Sequence, residues 1–255
     1  LAVWYADHGR HDLPWRHARD RWTILVSEVM LQQTQVARVL DAWPAFIHSC
    51  PPAAARAAVG PGRVIAAWGR LGYPRRARRL WEAATVIAAQ GWPDDLRALP
   101  GVGRYTAAAV LAQADGADLP AIEVNVRRVV ERASGRRLST GEAEAAMLRF
   151  GRPLEGRDRL LALMDVGALL CRPREPACPR CPLRRRCATR APLVDETRGR
   201  QAPFAGSFRE RRGRVMAALR AHDAVAVAQL DDEALASLVA DGLATIDESG
   251  RARLP

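Results

Sequence analysis

The chain has 255 residues, about half of them apolar and a quarter charged, with a formal net charge of +11. That balance is that of a soluble globular protein rather than a disordered or membrane one, and no apolar run reaches the roughly 18 residues that a membrane span needs. So large a cationic excess points to a polyanionic partner, nucleic acid first among them. All 39 cations are arginine. With no lysine to form a Schiff base with a sugar aldehyde, any chemistry on DNA is expected to be hydrolytic unless the α-amino group takes part.

The opening LAVWYADHGRHDLPWRHARD mixes charge and tryptophan without the apolar stretch of a secretory signal, so a cytoplasmic protein is expected. From Trp22 to about Phe46, Leu25, Val29, Val36 and Leu40 recur near a helical period and predict helix. GRVIAAWGRLG and RRARRLWEAATVIAAQG follow as helices with glycine stops. DDLRALPGVGRYTAAAVLAQADG reads as helix, Pro-Gly-x-Gly hairpin and helix, and EVNVRRVVERASG, STGEAEAAMLRFG and DRLLALMDVGALLC extend the series. Strand-like alternation is scarce before residue 240, so the body is predicted to be all-α. Cys50 reads as a small buried hydrophobe.

Cys171, Cys178, Cys181 and Cys187 form a C-x6-C-x2-C-x5-C cluster. Without an export signal disulfides are disfavoured. Two thiolate chemistries stay open: a structural zinc, which usually pairs two C-x2-C knuckles where this chain has one, and an iron–sulfur cubane, which tolerates unequal loops and is favoured by them. Arg180, Arg184, Arg185 and Arg186 surround the cluster and either present guanidinium forks to phosphates or form the solvated face of a structural staple.

Past the cluster, RAPLVDETRGRQAPFAGS reads as a linker. RERRGRVMAALRAH, VAVAQL and DDEALASLVADGL then suggest three short helices, and ATIDESGRARLP a two-stranded hairpin turning at Glu248, Ser249 and Gly250. The pattern fits a winged-helix module or a helical appendage covering the main body.

In LPGVGRYTAAAV, Gly101 and Gly103 are expected to let the backbone turn with no Cβ in the way, so that amides at the next helix N-terminus, beside Arg104 and Thr106, face a phosphate. Such a grip holds DNA backbone without reading sequence.

With LPWR, SEVMLQQTQVARV, GRLGY, LPGVGRYTAAAV, NVRRV, MDVGALLC and the four cysteines in this order, residues 1 to about 195 resemble the helix-hairpin-helix DNA glycosylases of the endonuclease III fold, and most closely their adenine-glycosylase (MutY) branch. The resemblance implies an all-α, endonuclease III-like two-domain helical fold with a helix-hairpin-helix and a four-cysteine iron–sulfur loop, plus a small C-terminal winged-helix-like module. The expected domains are an iron–sulfur cluster domain (1–20 and 110–195), a six-helix barrel carrying the hairpin (21–109), a linker (196–207) and the C-terminal module (208–255). It implies a [4Fe–4S] cluster on Cys171, Cys178, Cys181 and Cys187. The implied partner is double-stranded DNA with a mismatched or damaged base, met by a monomer in a bacterial cytoplasm, at the nucleoid.

Relatives that cut the strand carry lysine where this chain has Tyr105, so the resemblance implies a monofunctional enzyme. Glu28 matches the adenine-glycosylase acid. Near Ile24 and Leu31 its carboxyl is expected to face apolar surroundings that raise its pKa and keep it able to protonate N7 of adenine; the alternative is a solvated helix acid. An oxocarbenium-like transition state calls for a second carboxylate. The family has an aspartate there, and Glu123 holds that position with one more methylene and a weaker expected helix cap. Asn125, the one asparagine in the chain, matches a residue that holds the catalytic acids by hydrogen bonds, or serves as an N-cap. Gln32 and Gln33 match wedge glutamines beside the flipped nucleotide, or are exposed helix polarity, and Tyr73 matches a tyrosine that enters the base stack.

The function implied is hydrolysis of the N-glycosidic bond of adenine mispaired with 8-oxoguanine or guanine. The alternatives are thymine or uracil opposite guanine as substrate, or a lesion-binding protein whose chemistry is blunted at Glu123.

Overall fold

Alanine, leucine and arginine are strong helix formers, and with glycine and proline as punctuation they dictate helix along most of the chain. The computed structural model describes residues 1–49, 59–193 and 203–255. Cys50 and residues 196–202 of the expected linker lie outside the described residues. Within these bounds the helices are α1 (Ala2–His8), α2 (Arg21–Leu31), α3 (Val36–Ser49), α4 (Pro61–Ala67), α5 (Arg75–Gln90), α6 (Arg104–Ala114), α7 (Val124–Ser134), α8 (Thr140–Gly151), α9 (Gly156–Asp165), α10 (Phe208–Ala221) and α11 (Asp232–Ala240). No described helix is long and apolar enough to cross a membrane.

The chain divides into two compact units, one of residues 1–28 and 102–199, the other of residues 29–101 and 200–255. In the first, α7 buries Val126, Val129, Val130 and Ala133 at i, i+3, i+4 and i+7, one face of a helix, against Ala109 and Ala112 of α6, Met147 of α8 and Leu160 and Leu163 of α9. Burying an aliphatic side chain of this size contributes about 1.5–3 kcal/mol. Helix α9 continues into a π-helical turn, Val166–Leu170, which delivers Cys171. Ahead of that turn Asp165 has no exposed surface; Arg16 Nη1 and Nη2 donate to its two oxygens at 2.6 and 2.7 Å, and Arg10 Nε adds 2.6 Å. Burial pushes the Asp165 carboxyl up, but the Arg16 bonds and charge, with Arg10, outweigh it and hold the group below the ordinary aspartate range. The LPWR and MDVG motifs are therefore two halves of one buried ion pair.

In the second unit the single helix expected from Trp22 to Phe46 is broken. Gln33, with φ 53°, takes the left-handed conformation between α2 and α3. The apolar period runs on across the break, so periodicity alone could not show it. Trp68, fully buried, meets the Phe46 ring edge-on at 5.4 Å and donates Nε1–H to Gly72 O at 2.9 Å.

The C-terminal module is helical with a small sheet. VAVAQL is not the predicted helix: it forms β1 (Val225–Ala226) and a 3-10 turn, Val227–Gln229, because Val225 pairs with Ala252 across the sheet. The expected hairpin forms as β2 (Thr245–Ile246) and β3 (Arg251–Arg253), with Gly250 at φ 72° in its turn and strand order β1–β3–β2, all antiparallel. Helix α10, this sheet and α11 make a winged-helix-like module, closed by Val215, Met216, Leu219, Leu235, Leu238 and Ala252. Within its unit it is pinned to α5, where Arg75 pairs with the Asp241 carboxylate and Arg78 Nη1 donates to Asp241 O at 2.5 Å; inside the module Arg212 closes on Asp241 Oδ2 at 2.6 Å.

Candidate active site

Helix α2 carries Glu28 into the first unit with 6 % of its surface exposed. Its surroundings are apolar, as Ile24 and Leu25 of the same helix are buried, yet neither carboxyl oxygen is left alone. Tyr105 Oη donates to Oε2 at 2.8 Å and Gln113 Nε2 donates to Oε1 at 2.7 Å. Both donors project from α6, two turns apart. Burial raises the Glu28 pKa, the Tyr105 and Gln113 bonds lower it, and the Glu123 charge raises it, with the balance upward. Tyr105 is held well above the ordinary tyrosine value by burial and by the two nearby glutamates. It stays a neutral donor.

The Glu123 side chain lies at the start of α7. Its Oε1 accepts from Val126 N at 2.7 Å, so Glu123, and not Asn125, is the N-cap, and the longer side chain caps well here. The other oxygen accepts from Asn125 Nδ2 at 3.0 Å, and Asn125 Oδ1 accepts from Arg128 Nη2 at 2.7 Å. Burial raises the Glu123 pKa and the Asn125 and Val126 donors pull it back, leaving it raised. Arg128 also donates to Cys171 O at 2.6 Å and Gly167 O at 2.7 Å. Gly167 permits this packing: a Cβ there would sit 2.6 Å from Asn125 Cβ and 2.9 Å from Asn125 O.

Cys171, Cys178, Cys181 and Cys187 line one mostly apolar pocket with Val129, Leu170 and Leu183. None of the four is in a disulfide, and burial raises Cys171 and pushes Cys181 up to about 11. Arg132, 2 % exposed, brings Nη1 to 3.5 Å from Cys171 Sγ and donates to Arg172 O and Pro173 O at 2.8 and 2.9 Å. Four thiols turned to one pocket, with a buried cation beside them, are a donor set suited to a thiolate-bound metal group. Among the described residues no set of three or more His, Cys, Asp and Glu side chains is drawn together as a finished metal site. Arg180, Arg184, Arg185 and Arg186 are all exposed; Arg186 lies over the Phe150 ring and donates to Arg149 O.

Residues 26–153 match the HhH-GPD superfamily of base excision DNA repair proteins. The adenine DNA glycosylase of Mycolicibacterium smegmatis is 42 % identical over 274 residues, covering 98 % of this chain and 93 % of its own length. The chain belongs to the HhH-GPD superfamily. Among solved structures a thermostable thymine-DNA glycosylase aligns at 29 % identity with a TM-score of 0.63, over 72 % of this chain and 90 % of its own. A non-covalent endonuclease III–DNA complex, at 24 % identity and a TM-score of 0.63 over 74 % and 91 % of the two chains, shows the shared endonuclease III-like fold. This HhH-GPD chain is a DNA N-glycosylase.

The remaining expected DNA-contact residues of the HhH-GPD chain are placed as follows. Gly101, at φ 79°, needs its missing Cβ; Gly103, at φ −93°, does not need it for conformation, and open space lies where its Cβ would be. Arg104 Nη2 pairs with Glu144 at 2.7 Å, and Thr106 is 3 % exposed, so the Thr106 side chain is not at the surface. In the other unit Gln33 and Tyr73 both have positive φ, 53° and 48°, and Tyr73 is exposed. Arg76 ties their loops together. It donates to Val29 O, Met30 O and Gln32 O from Nη1 and to Thr34 Oγ1, Leu71 O and Gly72 O from Nη2, and lies over the Tyr73 ring at 5.4 Å. Burial pushes its pKa down to about 10.

Sequence reasoning missed Gln113, Arg76, Arg128 and Arg132. A polar residue in the otherwise apolar run AAAVLAQA was the available signal for Gln113, and the NVRRV motif for Arg128; Arg76 and Arg132, drawn from 39 arginines, had none.

Proposed function

We propose that this glycosylase removes adenine mispaired with 8-oxoguanine or guanine, acting as a monofunctional hydrolase on a nucleotide flipped out of the duplex. The observation that carries the reading is the buried carboxyl of Glu28 with a donor on each oxygen. Burial favours its protonated form in the free enzyme, and Tyr105 and Gln113 stabilise the carboxylate left after its proton has gone to adenine N7. The C1′–N9 bond then breaks, its electron pair leaving with adenine, and the cationic C1′ faces the negative charge of Glu123, which Asn125 and the Val126 amide orient. Water adds at C1′ and releases a proton, giving free adenine and an abasic site. Thymine and uracil have no N7 for Glu28 to protonate, which favours the purine.

On this reading Cys171, Cys178, Cys181 and Cys187 hold a [4Fe–4S] cluster, which when bound staples the loop through four iron–thiolate bonds. Tyr105 in place of an amine, in a chain with no lysine, supports hydrolysis without strand cleavage. The test is to incubate duplexes carrying adenine opposite 8-oxoguanine, adenine opposite guanine, thymine opposite guanine and uracil opposite guanine, then cleave abasic sites with alkali. Strand breaks confined to the two adenine duplexes, appearing only after alkali, are expected. Breaks on the pyrimidine duplexes alone overturn the substrate, and breaks without alkali overturn the monofunctional reading.

A further inference from the structure

The second unit contains a broad groove, about 1000 Å³, between the loops of Gln33 and Tyr73 and the C-terminal module. Seven arginines line it against two acids, Glu210 and Asp241, and both acids are spent: Glu210 pairs with Arg214, and Asp241 with Arg75 and Arg212. The Asp241 pairs fix one wall to the other, so the groove is built into the unit. Arg70 on one wall and Arg220 on the other have no acidic partner among the described residues. They feel each other across the gap, and burial together with Arg70 lowers the Arg220 pKa. Arg38 stands beside them and donates to Arg70 O. Exposed rings share the groove: Tyr73 at 45 %, Phe204 at 59 % and Phe208 at 38 %.

Like charges brought together without counter-charge destabilise the free protein, and a bound anion relieves them. Guanidinium forks fit phosphate oxygens, and aromatic faces interleaved with arginine suit nucleic acid rather than a small inorganic ion. We propose that this groove, with Arg70 and Arg220 facing across it, is a second DNA-contact site in which the C-terminal module grips phosphodiesters of the duplex. The inference rests on the reading that the chain acts on duplex DNA, and adds a role for Arg70 and for the C-terminal module, which lies outside the 26–153 family match.

The test is equilibrium binding of the full chain to an undamaged duplex over a range of salt, so that an error in the substrate base does not bear on it. Every phosphate that a variant leaves unneutralised reduces the steepness of the fall of log K with log salt by about 0.9, so Arg70→Gln/Arg220→Gln is expected to make the negative slope shallower by about 1.8. From about 50 to about 200 mM salt, the affinity ratio of wild type to variant should shrink roughly 12-fold. Arg70→Lys/Arg220→Lys should keep the wild-type slope, and Arg136→Gln/Arg152→Gln, of equal charge and in the other unit, should leave it nearly unchanged. A wild-type slope in the Gln pair, or an equal drop in the Arg136/Arg152 pair, overturns the assignment.

Discussion

Replacing Gln113 with leucine removes the donor on Glu28 Oε1 while keeping a side chain of similar size in a position only 4 % exposed. A hydrogen bond to a charged group contributes about 1.5–3 kcal/mol, and leaving a buried oxygen without a donor costs the same order. The Gln113 bond lowers the Glu28 pKa, so it favours the carboxylate over the acid. That carboxylate forms as the proton passes to adenine, so the bond removed is one that strengthens toward the transition state, and about 1.5–3 kcal/mol corresponds to roughly 10- to 150-fold in rate. The sign of the pH effect is fixed too. Removing a donor that favours the ionised form raises the Glu28 pKa further, so the limb on which activity falls with rising pH moves toward alkali. The assay is single-turnover excision of adenine opposite 8-oxoguanine across pH, with enzyme in excess. Slower excision with the falling limb displaced to higher pH is expected. An unchanged rate, or a limb displaced toward acid, refutes the assignment of Glu28 as a proton donor supported by α6.

Three further outcomes follow from the first unit. Asp165→Asn leaves Arg16 buried without its counter-charge and should cost about 3–5 kcal/mol in urea unfolding at neutral pH. Because the folded Asp165 pKa is depressed, the stability it confers is present above the unfolded aspartate value and is lost as pH falls through the folded one, so the gap between wild type and variant should close in acid. Gly167→Ala drives a methyl into the Asn125 backbone and should cost about 1–3 kcal/mol and slow excision; an unchanged melting temperature and rate would show that the two chain segments do not meet. Glu123→Gln keeps an oxygen for the Val126 amide but removes the charge and turns an amide N–H toward Asn125 Nδ2, so excision should slow about a hundredfold while stability falls only by about 1–3 kcal/mol, the cost of one lost hydrogen bond; the same stability loss with excision at the wild-type rate would make Glu123 a cap and nothing more.

The features legible in the sequence are those carried by contiguous motifs. Glu28 in SEVML, Tyr105 after the Pro-Gly-x-Gly turn, and Glu123 and Asn125 at one helix start each announce themselves by residue type and spacing, and the structure brings all four into one unit. Their partners were not legible, since Gln113 reaches Glu28 and Arg128 reaches Cys171 O only through helix packing that no local spacing records. Backbone conformation was equally hidden: Gln33 and Tyr73, both with positive φ and 40 residues apart in sequence, sit in loops that Arg76 gathers together through hydrogen bonds to each. VAVAQL reads as helix because two residues of strand, held by pairing with β3, are too few to show a period of two.

The most direct test of the account is Glu28→Gln, which keeps the side chain's shape and can keep both hydrogen bonds, its oxygen accepting from Gln113 Nε2 and its amide donating to Tyr105 Oη, but has no carboxyl proton to give. Single-turnover incubation with adenine opposite 8-oxoguanine, read as alkali-labile sites alongside binding to the same duplex, is predicted to show near-normal binding and loss of adenine release by about a hundredfold or more. Adenine release by Glu28→Gln at the wild-type rate would contradict the account.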